Sequence, residues 1–115
     1  MQSNTYGKRS EIIASNYLKD KGYKILETNY KNKIGEIDVI ALDGDYIVFV
    51  EVKARISQKF GHPFEAIDER KQQKIKMVAS LYLTIKRKTN RKCRFDAIAI
   101  LGQNDYEITH IIDCF

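Results

Sequence analysis

Four side chains in one short span have the types and spacing that could do chemistry: Glu36, Asp38, Glu51 and Lys53. The run Glu36-Ile37-Asp38-Val39-Ile40-Ala41-Leu42 precedes Asp43-Gly44, and a second stretch rich in β-branched residues covers 45–53. Asp-Gly between two such runs predicts a hairpin, because a two-residue type I′ turn needs positive φ at both positions. With the turn on Asp43 and Gly44, Leu42 faces Asp45, Asp38 falls opposite Phe49, and Glu36 falls opposite Glu51. Alternate residues of a strand share a face, so Glu36, Asp38 and Ile40 are expected beside Ile47, Phe49, Glu51 and Lys53. The other face then carries Ile37, Val39, Ala41, Val48, Val50 and Val52, with Tyr46 at the turn end, and reads as fully buried. A slip of one residue would send Asp38 and Glu51 to opposite sides of the sheet.

Carboxylates gathered in a partly buried place repel one another, and protonation, ion pairing or a divalent cation relieves them. Three acids and one lysine leave excess negative charge, and an oxygen-only ligand set suits Mg²⁺ or Mn²⁺. A metal held there can activate water and offset charge building on a phosphodiester. Lys53, two residues beyond Glu51 on the same face, could orient that water or stabilise the developing charge. Glu11 borders the apolar stripe of the first helix and could reach the same metal or water; equally, it could simply favour the positive end of that helix. The competing reading of Asp38, Glu51 and Lys53 is a structural ion pair, which a row of buried strand carboxylates makes strained.

The elements around the hairpin follow from periodicity. Ile13, Ala14, Tyr17 and Leu18 recur at helical spacing over 6–21, and Gly22 marks the stop. Residues 23–30 read as a strand, 61–65 as a loop, and Ile67, Ile75, Val78, Ala79, Tyr82 and Ile85 as a long helix ending near Lys88. Residues 94–101 and 106–114 read as strands divided by Gly102-Gln103-Asn104-Asp105. Helix, three strands, helix, strand and a last strand make an α/β fold, in which the long helix should join two parallel strands by a right-handed crossover.

With 115 residues, a single proline at Pro63, and neither repeat nor linker, the chain is expected to form one domain over 1–115. The absence of an apolar run of membrane length and of a signal-like start points to the cytoplasm by default. Cys93 and Cys114 lack the spacing of a disulfide framework or zinc site, and His62 and His110 lack ligand spacing. Tyr6, Tyr23 and Tyr30 read as packing residues rather than base-stacking platforms. The net charge of +5 favours a polyanionic partner, with Lys and Arg crowded into 53–59, 70–76 and 86–94. Arg55, Lys71 and Lys74 are candidates to track a phosphate backbone, a solvated face being the equal alternative.

Asp38, followed after twelve residues by Glu51-Val52-Lys53, resembles the PD-(D/E)xK nuclease motif, with Gly35-Glu36 in place of the usual proline. The spacing is similar to that of archaeal Holliday junction resolvases. Gly35-Glu36-Ile37-Asp38, Val48-Phe49-Val50-Glu51-Val52-Lys53 with Arg55, Gly61 with Pro63, and Arg94-Phe95-Asp96 resemble the YraN-like family of uncharacterised bacterial proteins. That likeness runs from Gly7, Glu11 and Tyr17-Leu18 to Phe115. It implies a restriction-endonuclease-like αβββαβ core, a mixed sheet flanked by helices, with an extra C-terminal strand. It also implies that Asp38 and Glu51 hold the metal, that the Val52 carbonyl completes the site, that Lys53 is catalytic, and that Glu11 is the helix acid. Ser10 stands where a glycine commonly precedes the helix acid and Ala54 where a threonine commonly follows the lysine; neither removes a ligand. Two functions follow as expectations: a Mg²⁺-dependent endonuclease acting on DNA, including branched or damaged structures, or a nucleic-acid-binding module that keeps the fold without cleaving. A homodimer would suit an enzyme that must cut two strands, although no interface is legible in the chain.

Overall fold

The computed structural model describes residues 2–57, 59 and 61–115, with side chains from residue 8 onward. Helix α1 spans Gln2–Asp20 and is followed by strands β1 (Lys24–Lys31), β2 (Glu36–Asp43) and β3 (Tyr46–Arg55). A 3₁₀ turn at Pro63–Ala66 leads into α2 (Glu69–Ile85), then β4 (Lys92–Leu101) and β5 (Glu107–Ile111). The strands lie in sequence order in one five-stranded sheet, with β3 and β4 parallel and every other pair antiparallel. This is the α/β arrangement expected, a restriction-endonuclease-like core with a strand added at its C-terminal edge. Among the described residues no helix is long and apolar enough to cross a membrane.

Each helix covers one face of the sheet. Ala14 and Leu18 of α1 pack with Val39, Ala41, Val48, Val50, Val52, Ile98 and Ile100. Ile75, Val78, Ala79 and Tyr82 of α2 pack with Ile40, Ile47 and Phe49 on the other side. Burying both faces is what makes β3 and β4 read as nearly continuous apolar runs. Gly22, at φ 94°, ends α1: its N–H reaches Lys19 while Tyr23 N–H reaches back to Leu18, a Schellman closure that needs a left-handed residue. Arg87 does the same for α2, which stops at Ile85 rather than near Lys88. Residues 61–65, expected as a loop, include the 3₁₀ turn, whose first turn is closed by reciprocal hydrogen bonds between His62 and Glu65.

Two expectations about the hairpin are corrected. The turn sits on Gly44 and Asp45, because Asp43 pairs with Tyr46. Positive φ occurs at Gly44 (59°) and not at Asp45, the pattern of a type II′ turn with glycine first. The register is therefore displaced by two from the one expected, with Ile40 rather than Asp38 opposite Phe49. A displacement of two leaves every side chain on its expected face of β3. The second correction concerns Ile37, which joins the α2-side cluster although Val39 lies on the α1 side. Strand alternation breaks between them, at Asp38.

Of the residues expected to pack, Tyr30 meets Tyr82 edge-on at 4.9 Å and Tyr23 is buried, whereas the Tyr6 side chain lies outside those described. Cys93 and Cys114 are free and half-buried.

Candidate active site

The β2–β3 ladder runs from the turn to Val39 paired with Val50, and there the strands part into a fork. Asp38 fills the opening: its Oδ2 accepts the Val52 N–H at 2.8 Å, replacing the backbone acceptor that a continuing ladder would have supplied. N–H and C=O of one strand residue point to the same neighbour, so the Val52 carbonyl also turns toward the fork. On β3, Glu51 and Lys53 have the parity of Ile47 and Phe49 and therefore face α2.

These groups line a cleft of about 300 Å³ with Gly35, Glu36, Lys71, Lys74 and Ile75. Glu51 is only 9% exposed. Burial pushes its carboxyl up to about 8, and the negative charge and hydrogen bond of Asp38 push the same way, against the pull of Lys53 and Lys71. Lys53 Nζ lies 3.7 Å from Glu51 Oε2. Burial lowers the Lys53 ammonium, and the Lys71 ammonium beside it lowers it further. The cleft thus sets two carboxyl groups and two ammonium groups against one another in a partly dry place, where each charge is felt strongly.

The α2 side of the cleft is fixed by two local devices. Asp68 caps α2 by accepting the Lys71 N–H at 2.9 Å, which sets the first turn and directs Lys71 inward. Asn32, in the β1–β2 connection, donates to the Val78 carbonyl at 3.2 Å and accepts the Ile34 N–H at 3.0 Å. Gly35 then lies so close to α2 that an added Cβ would meet Lys74 Cε and Val78 Cγ2 at 3.2 Å each.

The residues singled out in the sequence divide into those that share the cleft and those that do not. Asp38, Glu51, Val52 and Lys53 come together, and Lys71 and Lys74, read from sequence only as backbone-tracking cations, line the same cleft. Glu36 stands at the rim with its carboxylate exposed and paired to Lys31 at 3.7 Å. Glu11 lies beyond the sheet in a separate groove of about 380 Å³ with Lys8, Ile12, Asn16, Lys19, Thr28 and Asn29. Burial raises the Glu11 carboxyl; an Asn29 hydrogen bond opposes this, while the charges of Asp38 and Glu36 add to it, so Glu11 feels the centre across the sheet. Arg55 turns its guanidinium to the Ala54 carbonyl at 3.1 Å and does not line the cleft.

Among the described residues no three His, Cys, Asp or Glu side chains converge as a metal cage. The donor set in the cleft is two carboxylates and one carbonyl, all oxygen, and such a set fits Mg²⁺ or Mn²⁺ completed by water. The Glu51 carboxyl, buried beside Asp38 and raised above the ordinary carboxyl range, is the kind of group whose charge a divalent cation satisfies.

A second polar cluster lies on the α1 side of the sheet and was not anticipated. Asp96 is 0% exposed and accepts Arg94 Nε at 3.0 Å, Arg94 NH2 at 3.1 Å and the Asp113 N–H at 3.0 Å, with His110 Nε2 at 2.7 Å. Burial pushes its carboxyl up, but the donors from His110, Arg94 and Asp113 outweigh this and hold it below the usual range. With its lone pairs filled and no access to solvent, Asp96 ties β5 and the segment after it to β4. Its signals in the sequence are the Arg94-Phe95-Asp96 motif and the two-residue spacing that sets Arg94 and Asp96 on one strand face.

Known proteins bear on this geometry through their sequences. A family model described as "Uncharacterised protein family UPF0102" matches residues 10–100, a span that takes in Glu11, the hairpin, α2 and Asp96. A UPF0102 protein of Thermodesulfovibrio yellowstonii is 49% identical over 109 residues, covering 95% of this chain and 94% of that one. UPF0102 proteins of Alkaliphilus metalliredigens and Caldanaerobacter subterraneus subsp. tengcongensis are 43% and 47% identical, covering 98% and 96% of this chain and 99% and 94% of theirs. The acidic cleft and the strands that build it lie inside the matched span, and the chain belongs to the UPF0102 family, the YraN-like proteins its motifs resemble.

Proposed function

We propose that this protein is a Mg²⁺- or Mn²⁺-dependent endonuclease that hydrolyses phosphodiester bonds of DNA, including branched or damaged structures. The observation that carries the reading is the shared cleft, in which the Asp38 and Glu51 carboxyl groups and the Lys53 and Lys71 ammonium groups meet under the first turn of α2. Asp38, Glu51 and the Val52 carbonyl would hold the ion; Glu36, at the rim of the cleft and paired to Lys31, and Glu11, in a separate groove, would act on it only through their charge. Such an ion lowers the pKa of bound water and offsets charge on a phosphoryl oxygen. Lys53, half-buried and held beside Glu51, is placed to orient the attacking water or to meet the charge that grows on the phosphate. Lys71 and Lys74 line the wall toward α2, where a phosphate approaching two carboxylates needs compensating positive charge. A homodimer would supply two such centres for the two strands of a duplex.

A nucleic-acid-binding module without useful cleavage is the second reading, favoured by the lysines along α2. Carboxylates placed against a polyanion oppose it unless a cation intervenes. Duplex, branched and single-stranded DNA, and RNA, incubated with the purified protein and Mn²⁺ separate the two. Cleavage of DNA that is lost in Asp38→Asn and Lys53→Ala supports the enzyme. Binding without cleavage, or cleavage that survives both substitutions, refutes it.

A further inference from the structure

Asn29 is a non-glycine residue in the left-handed region, with φ 52°, in the middle of strand β1. That conformation is uncommon for any residue with a Cβ, least so for asparagine and aspartate, and inside a strand it turns the chain over. The flanking pairs are Thr28 with Val39 and Tyr30 with Ile37, so Asn29 falls opposite Asp38. In a regular ladder Thr28 and Tyr30 would share a face. Here Thr28 lines the groove beneath α1, whereas Tyr30 packs on Tyr82 of α2. The partner strand changes sides at the same rung, with Val39 on the α1 side and Ile37 on the α2 side. Two paired strands that exchange faces together leave one residue of each at the crossing point: Asn29 in β1 and Asp38 in β2. Asp38 is thereby freed from both faces, and its carboxylate meets the Val52 N–H at the mouth of the fork.

We infer that Asn29 is the positioning residue of the centre: its left-handed backbone directs Asp38 into the β2–β3 fork. The side chain explains why asparagine rather than glycine stands there, because its amide donates to Glu11, the acid from the other face of the sheet. The role of Asn29 at a metal centre rests on the function proposed above; its control of Asp38 does not.

Amide hydrogen exchange tests this without metal or substrate. The Val52 N–H is protected by Asp38 itself, whereas Val48 and Val50 belong to the regular ladder, so Val52 reports placement and the others report general stability. Asn29→Val, which a β-branched side chain makes costly in the left-handed region, is expected to lower Val52 protection about tenfold more than that of Val48 and Val50. Asn29→Ala supplies the same comparison with a milder perturbation should the valine variant not fold. Asn29→Gly, free to adopt positive φ, is expected to keep the wild-type protection of Val52. Titration with Mn²⁺ is expected to follow the same order, with affinity retained in Asn29→Gly and reduced about tenfold in Asn29→Val. Val52 protection that falls only in step with Val48 and Val50, or equally in the glycine and alanine variants, would overturn the inference. Wild-type protein that fails to bind Mn²⁺ would count against the metal centre alone, since the exchange comparison still decides the role of Asn29.

Discussion

Replacing Glu51 with glutamine changes, above all, the need to keep a carboxyl group protonated in a buried place. Burial and the adjacent Asp38 push the Glu51 carboxyl from an ordinary 4.5 up to about 8. A group whose pKa is raised on folding contributes stability that is complete below its unfolded pKa and is lost as pH rises through its folded one. For Glu51 the window of loss therefore lies between about 4.5 and about 8. Integrated from about pH 6 to about pH 8.5, the loss for the metal-free wild type is on the order of 2–3 kcal/mol, or roughly 10 °C in Tm for a domain of this size. Glutamine keeps the volume and an amide N–H to donate to Asp38 but has no titratable proton, so the Tm of Glu51→Gln should stay level over the same interval. Adding Mn²⁺ should restore the wild type at the alkaline end and leave the variant unmoved, because a metal takes the deprotonated carboxylate and stabilises only the folded state that presents it. Scanning calorimetry at a series of pH values, with a chelator and then with Mn²⁺, makes the comparison. Wild-type and variant Tm curves that run parallel from pH 6 to 8.5 in chelator would refute the placement of a stranded proton at Glu51.

Other outcomes follow from the same structure. Asp96→Ala leaves Arg94 buried without its main acceptor and should cost about 3–5 kcal/mol, read as a lower urea midpoint. Because Asp96 is held below the usual carboxyl range, its contribution is present above the unfolded pKa and is lost as pH falls through the folded one, so the difference between wild type and variant should shrink in acid. Gly35→Ala pushes a methyl group against the fully buried Val78 and should destabilise by about 1 kcal/mol, with Gly35→Val costing more; chemical denaturation measures both. Removing Lys71 and Lys74 together should weaken nucleic-acid binding and reduce the slope of log affinity against log salt by about 2, measured by fluorescence anisotropy with an Asp38→Asn background to prevent cleavage.

Much of the frame is legible in the chain because it depends on periods. The stripe of Ile13, Ala14, Tyr17 and Leu18 and the glycine after it announce α1 and its end; the apolar runs on either side of Asp43-Gly44 announce the hairpin. The turn position was not legible, since Asp-Gly and Gly-Asp are both acceptable central pairs and the choice lies in which φ is positive. That error left the site intact because strand faces repeat every two residues. The fate of Ile37 was hidden for a different reason: one left-handed residue in the neighbouring strand overrides the alternation, and only the tolerance of asparagine for that conformation hints at it. Lys71 could be placed in the first turn of a helix from Asp68 and the apolar stripe, but whether that turn overhangs the carboxylates depends on the β3–α2 connection. Asp38, Glu51 and Lys53 are legible as a set from the strand faces and again from the resemblance; the sequence alone could not say that Glu36 stands at the rim of their cleft and Glu11 in a separate groove. Asp96 is the opposite case, a residue quoted for the likeness whose buried partners come from β4, β5 and the segment after β5.

The bond from Asn32 to the Val78 carbonyl has a mechanical consequence. It couples the hairpin's leading connection to the middle of α2, so the acid-bearing wall and the lysine-bearing wall are braced against each other. For the nucleic-acid substrate proposed above, such bracing would place selection on the local shape and pliancy of the substrate rather than on a closing movement of the protein. On that reading distorted or unstacked nucleic acid, which bends at little energetic expense, would be favoured over a stiff regular duplex.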